Sequence, residues 1–226
     1  MPLSRLFLPF GMEAMLKYFY MKAAARNAKP KAPLGRPRAF DPEAALERAL
    51  QVFWRKGYEG ASLSDLTKAM RINRPSLYAA FGNKEALFFK ALDRYVNGRA
   101  GHVREALNEP TARAVVERLL RGTADMPSDK KNPAGCLLVQ GALACGESSE
   151  SIKKELISRR KAIEAVIRQR LERAQSENDL PAGSDPAILA RYLVAVINGM
   201  AVQAASGASR EDLQGVAETA LQSWPG

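Results

Sequence analysis

The sequence predicts an all-α protein: an N-terminal three-helix domain containing a helix-turn-helix, followed by a larger helical domain. Three observations predict it. Apolar residues recur at helical spacing along nearly the whole chain after Phe40, and no stretch alternates convincingly enough to compete as a strand. The positive charge is also confined to the front. Residues 1–100 carry 18 basic and 8 acidic side chains and residues 101–226 carry 16 of each, so the net charge of +10 belongs entirely to the first hundred residues. A basic front unit on a neutral back unit is the pattern of a polyanion-binding module joined to a module with another task. At 226 residues, with 46% hydrophobic and 26% charged positions, the chain can bury a core of one or two domains.

Residues 1–40 read as a flexible basic extension. Met1 to Met21 is apolar in places, but Arg5, Gly11, Glu13 and Lys17 interrupt it and no small-residue cleavage site follows. It therefore fails as a secretory signal, and weak surface amphipathicity is what remains. A translation start set too far upstream, with Met12, Met15 or Met21 as the true one, is the plainer explanation. Lys22, Arg26, Lys29, Lys31, Arg36 and Arg38, spread among alanines and three prolines, predict an extended basic arm over 22–40.

The first helix starts at Asp41-Pro42-Glu43, an N-cap followed by a first-turn proline and an acid, and ends at Gly57. Leu46, Ala49, Leu50, Phe53 and Trp54 form its apolar stripe. Ser62 with Asp65 three positions on is a capping-box pattern for a second helix. Arg71-Ile72-Asn73 is the turn, Asn73 caps a third helix closed by Gly82, and Asn83 caps a fourth with Leu87, Phe88, Ala91, Leu92, Tyr95 and Val96 on one face. The domain boundary is set at 90, giving units 41–90 and 91–226. Further helices are expected near 102–108, 112–122, 135–146, 150–176, 185–206 and 210–223, with Pro110, Pro127, Pro133, Pro181 and Gly207 between them.

Enzyme chemistry finds little support. One histidine, His102, removes the usual general-base sets, and no nucleophile elbow, phosphate loop or dinucleotide glycine pattern occurs. Cys136 and Cys145 are too few for a disulfide framework and match no zinc spacing, so no metal or other cofactor is expected and a reducing cytoplasm is the default. The segment 187–205 sits at the short limit for a membrane span and lacks basic flanks; it reads as a helix buried on all sides.

Two short helices joined by a three-residue turn and braced by a longer one form the arrangement that fits a DNA major groove. At these residues the sequence resembles the TetR/AcrR family of transcriptional repressors. The resemblance rests on Ala61-Ser62-Leu63-Ser64-Asp65-Leu66, Arg74-Pro75-Ser76-Leu77-Tyr78-Ala79-Ala80-Phe81 and Gly82-Asn83-Lys84-Glu85-Ala86-Leu87, and it runs from about Asp41 to Tyr95. It implies an N-terminal DNA-binding domain and a C-terminal helical domain for ligand binding and dimerisation. Carried over by residue, Ser62 would cap the second helix while touching a phosphate, and Arg74, Pro75 and Ser76 would meet base edges. Tyr78 would contact phosphate or a base, and Lys84 would meet the backbone at a helix N-terminus. The alternative for Tyr78 is a half-buried aromatic packed on the first helix. Ala79 and Ala80 are smaller than the residues many members carry there and could contact only thymine methyls. Arg36 and Arg38 would lie in an AT-rich minor groove, or else belong to a solvated linker.

The resemblance further implies a homodimer on a palindromic operator, released by a small-molecule effector. Tyr95, Cys136, Gln140 and Met200 are the pocket candidates, because they place adaptable or hydrogen-bonding groups on apolar helices. Cys136 is expected in the middle of an apolar helix, where packing competes with a role as an electrophile or oxidant sensor. A non-DNA-binding thiol enzyme, or a membrane-surface protein using residues 1–21, is the remaining alternative. On the 150–176 helix Ile152, Leu156, Ile163, Ile167 and Ala174 form one packed stripe, with Arg159, Arg160, Lys161, Arg168 and Arg170 largely displayed elsewhere. The 185–206 helix has two apolar faces, Leu189/Leu193/Val196/Met200 and Ile188/Tyr192/Gly199/Val202, and must be covered twice.

Overall fold

The computed structural model describes residues 40–98, 101–126, 132–143, with backbone alone from 141, and 149–225. Arg36, Arg38 and Cys145 lie outside the described residues. Among the described residues there are ten helices and no strand: α1 (Pro42–Gly60), α2 (Leu63–Met70), α3 (Arg74–Phe81), α4 (Lys84–Gly98), α5 (Gly101–Ala106), α6 (Ala112–Ala124), α7 (Leu137–Leu143), α8 (Glu150–Ser176), α9 (Pro186–Ala205) and α10 (Arg210–Gln222).

Local chemistry accounts for the starts of the front helices. Asp41 Oδ1 accepts from the Glu43 amide at 2.9 Å, Asn73 Oδ1 from the Ser76 amide at 2.8 Å, and Asn83 Oδ1 from the Ala86 amide at 2.8 Å. At α2 the box is reciprocal: the Ser62 hydroxyl accepts from the Asp65 amide, while an Asp65 oxygen accepts from the Ser62 amide and hydroxyl. Two turns use left-handed backbone, at Arg71 (φ 59°) between α2 and α3 and at Gly82 (φ 79°) after α3. The first helix differs from its expected end. Gly57 leaves helical geometry (φ 68°), yet one further turn carries the assigned helix to Gly60.

Asp65 also receives the Lys56 ammonium at 2.8 Å. That bond first, then those from the Ser62 hydroxyl and amide, lowers its carboxyl from an ordinary 3.8 to about 2. A carboxylate with a depressed folded pKa stabilises fully above its unfolded value, and the contribution disappears as pH falls through the folded one. The gap in Tm between the native chain and Asp65→Asn is therefore expected to be constant above pH 4 and to close as pH falls toward 2. A gap that does not change with pH in thermal melts would refute this role for the cap.

The front helices close around Leu50, Phe53, Leu66, Met70, Leu77, Phe81, Leu87 and Phe88, all buried. Phe53 meets Phe88 edge to face at 4.9 Å, and Arg48 donates to the Met70 carbonyl, satisfying the end of α2. α4 packs along α1 and continues into the rear unit, where Trp54 and Tyr95 meet edge to face at 4.9 Å. One continuous core joins the two units. In the rear unit α8 packs on α9, α6 on α10 and α9, and α7 on α8 and α1.

Three expectations for the rear helices are corrected. Cys136 is not mid-helix: Pro133 and Gly135 (φ 85°) keep the chain out of helical geometry, α7 begins only at Leu137, and the Cys136 carbonyl accepts its first bonds from Val139 and Gln140. Arg159 is not displayed. It is 1% exposed, bonded to Asp93 of α4 at 2.5 Å and to Glu155 at 3.0 Å. Arg170 is buried too and donates to the carbonyls of Glu109 and Pro110. Finally, this chain by itself covers only one side of α9. Leu193, Met200 and Ala204 enter the core, while Ile188, Tyr192, Ala195, Gly199 and Val202 are exposed along the opposite face, with Val216 of α10 also exposed.

Candidate nucleic-acid interface and an interior cavity

The eight residues of α3 divide sharply between core and solvent. Leu77 and Phe81, four apart, are buried; Arg74, Pro75, Tyr78 and Ala79 are exposed, and Ser76 is half-buried. Tyr78 is 49% exposed, so about half of its surface faces solvent. The exposed row starts at the N-terminus of α3, where unsatisfied amides and the helix dipole favour an anion. Arg71, which the sequence marks only as turn, stands exposed three residues before Arg74.

Ser62 is exposed, and its hydroxyl proton goes to Asp65 at 2.7 Å. Its capping role is therefore visible, and a phosphate would have to compete with that carboxylate for the proton. Lys84 opens α4 half-buried, its ammonium 4.4 Å from the centre of the Tyr58 ring. Burial pushes the ammonium below the ordinary lysine value, and the charge of Glu59 partly restores it. Tyr58 thus holds Lys84 by a cation–π contact that the sequence does not reveal.

Behind this surface a cavity of about 690 Å³, open mouth included, is lined by residues of α4, α5, α6, α7, α8 and α9 and of the segments beside them. Of the four pocket candidates, Tyr95 and Cys136 line it; Cys136 is a free, half-buried thiol. Met200 and Gln140 do not. Met200 is 1% exposed within the core, and Gln140 turns its amide toward the Ala134 carbonyl at 3.4 Å. In their place the wall carries His102, Arg160 and Asn198 among aliphatic side chains such as Leu119, Ile163 and Ile197. No sequence signal identified these three: His102 and Asn198 stand as single polar residues beside apolar ones, and nothing sets Arg160 apart from its basic neighbours Arg159 and Lys161.

Comparison with known proteins agrees across both units. The family model for bacterial regulatory proteins of the tetR family matches residues 45–91, and a tetracyclin repressor-like C-terminal domain model matches residues 110–220. The chain is 36% identical over 193 residues to the HTH-type transcriptional repressor ComR of Escherichia coli (strain K12), covering 84% of this chain and 92% of ComR. It is 30% identical over 183 residues to the HTH-type transcriptional repressor BdcR of the same strain, covering 79% and 86%. Among solved structures, a cysteine-substituted TetR family transcriptional regulator CifR, complexed with 26-base-pair operator DNA, superimposes with a TM-score of 0.81. It is 44% identical, and the match covers 84% of this chain and 100% of that one.

Proposed function

This chain belongs to the TetR family of bacterial regulatory proteins, so it is a helix-turn-helix DNA-binding transcriptional regulator, and we propose that it represses by holding a palindromic operator until a small molecule releases it. The observation that carries this reading is the solvent-facing row Arg74, Pro75, Tyr78 and Ala79 on a helix whose other side is anchored by Leu77 and Phe81. Side chains of this kind, on a rigid helix, meet base edges, with Ser62, Ser76 and Lys84 on neighbouring phosphates or bases. Arg36 and Arg38 of the N-terminal arm would add minor-groove contacts.

In this reading residues 41–90 bind DNA and residues 91–226 bind the effector and dimerise. α4 belongs to both. It carries Lys84 at one end and Tyr95 on the cavity wall, about 16 Å along the helix at 1.5 Å per residue. A ligand that binds one setting of α4 more tightly shifts the population of DNA-competent dimers, and only that difference in affinity does the work. The exposed apolar face of α9, with small Ala195 and Gly199 between Ile188, Tyr192 and Val202, supports a two-fold helical interface with a second copy. The cytoplasm, where the operator lies, is the place for such a protein. A second reading is favoured by the position of the Cys136 thiol on the cavity wall: an electrophile adds to the sulfur, and the same shift in α4 follows.

Fluorescence anisotropy against duplex from the chain's own upstream region and a scrambled duplex tests the whole scheme. Operator binding is expected to be about 10³-fold tighter or more, and to fall steeply with salt. Val202→Glu, which puts a charge on the exposed face without entering the core, is expected to elute as a monomer and to lose most of that preference. Equal, weak binding of both duplexes would overturn the proposal.

A further inference from the structure

Within the cavity wall, charge is distributed in a way that selects a ligand. Among the described residues Arg160 is the sole lysine or arginine on that wall, and neither aspartate nor glutamate lines it. Neighbouring carboxylates on α8 are already engaged. Glu155 is bonded to Arg159, and Glu164, one turn beyond Arg160, is paired with Arg191 of α9 at 3.3 Å. Arg160 itself has no hydrogen-bond or ion-pair partner among the described residues. Asn198 of α9, also half-buried, adds a neutral carboxamide to the same wall, and the remaining surface is largely aliphatic.

We propose that the cavity binds a monoanionic amphipathic ligand, a carboxylate on a compact apolar body, with Arg160 as its counter-charge and the aliphatic wall covering the rest. An arginine beside low-dielectric surface interacts more strongly with an anion than it would in water, and its planar fork matches the two carboxylate oxygens. A cationic ligand would meet like charge with no carboxylate to offset it. A phosphate dianion would carry two charges against the single lysine or arginine of the described wall. A neutral apolar ligand would desolvate the guanidinium without replacing its water, which costs affinity. The inference rests on the reading of this cavity as the effector site.

The experiment titrates the full chain with decanoate, decan-1-ol and decylammonium, each below its micelle concentration, by isothermal calorimetry and by tryptophan fluorescence, to which Trp54, packed on Tyr95, contributes with Trp224. Cys136→Ser is used throughout so that only non-covalent uptake is read. Decanoate is expected to bind at least tenfold tighter than the alcohol and the amine. Arg160→Met is expected to remove that preference by weakening decanoate and strengthening the alcohol, and Arg160→Lys to restore part of it. Equal affinities in the parent chain, a preference that survives Arg160→Met, or uptake of none of the three would overturn the proposal. Operator release by decanoate is followed separately by anisotropy. A carboxylate preference without release would support the ligand class and overturn the effector reading.

Discussion

Replacing Arg159 with methionine is expected to lower the unfolding free energy by about 3–5 kcal/mol. The guanidinium is 1% exposed and lies between Asp93 of α4, 15% exposed, and Glu155 of α8, 6% exposed. Methionine fills much of the space but leaves two carboxylates desolvated without their cation, and that uncompensated burial, more than the lost attraction, sets the cost. The triple variant Arg159→Met, Asp93→Leu, Glu155→Leu is expected to recover most of the loss, because replacing a buried ionic group by apolar side chains of similar size is often close to neutral. Urea unfolding followed by circular dichroism at fixed protein concentration measures both. A loss below about 1 kcal/mol for the single variant, the range of exposed pairs such as Arg168–Glu172, would show that the cluster is screened by water. The cluster joins α4, which starts beside the proposed reading helix α3, to α8, which carries Arg160 on the cavity wall. The triple variant is therefore also the one in which stability is kept while this connection is lost.

On DNA, Arg74→Ala and Lys84→Ala are expected to fail in different ways. Arg74 is exposed at the first position of α3 and is free to reach a base edge. Its loss should weaken operator binding by about 1–3 kcal/mol, roughly ten- to a hundredfold, and leave binding to scrambled duplex nearly unchanged. Lys84 is a fixed cation at a helix N-terminus, suited to a phosphate. Its loss should weaken both duplexes equally and reduce the salt slope by about one. Lys84→Ala also removes the contact with Tyr58, so a small drop in Tm accompanies it, whereas Arg74→Ala should leave Tm unchanged. If both variants reduced operator and scrambled binding alike, α3 would be contributing charge only, and its assignment as the reading helix would fall.

The front unit was legible in the sequence because its determinants are local. Asp41, Ser62, Asn73 and Asn83 each bond an amide two or three residues on, and Gly82 supplies the positive φ that ends α3, so the residue types alone locate the helix ends. The spacing of Leu77 and Phe81 likewise marked the inward face of α3, but the exposure of Arg74 and Tyr78, which lie close to that face in helical projection, was decided by how α3 sits on its neighbours. The partner of Lys84 was not legible, because Tyr58 lies beyond the irregular turn at Gly57 and only the packed fold brings the two together.

The rear unit divides differently. Its helices could be read from periodicity, as could the two apolar faces of α9. Which face enters the core could not, since a helix with two apolar faces satisfies the same pattern either way. Arg159 and Arg160 are adjacent and chemically identical, yet one is sealed against Asp93, 66 residues earlier, and the other lines a cavity. Likewise Gln140 and Met200 were reasonable pocket residues by chemistry, and packing directed them elsewhere. By itself the sequence determined what neighbours along the chain determine: the starts of the front helices, the charge division and the family. Tertiary structure alone decided the cavity wall, the buried cluster and the uncovered face of α9, because burial of a given side chain depends on the relative rotation of helices distant in sequence, and no local pattern encodes that rotation.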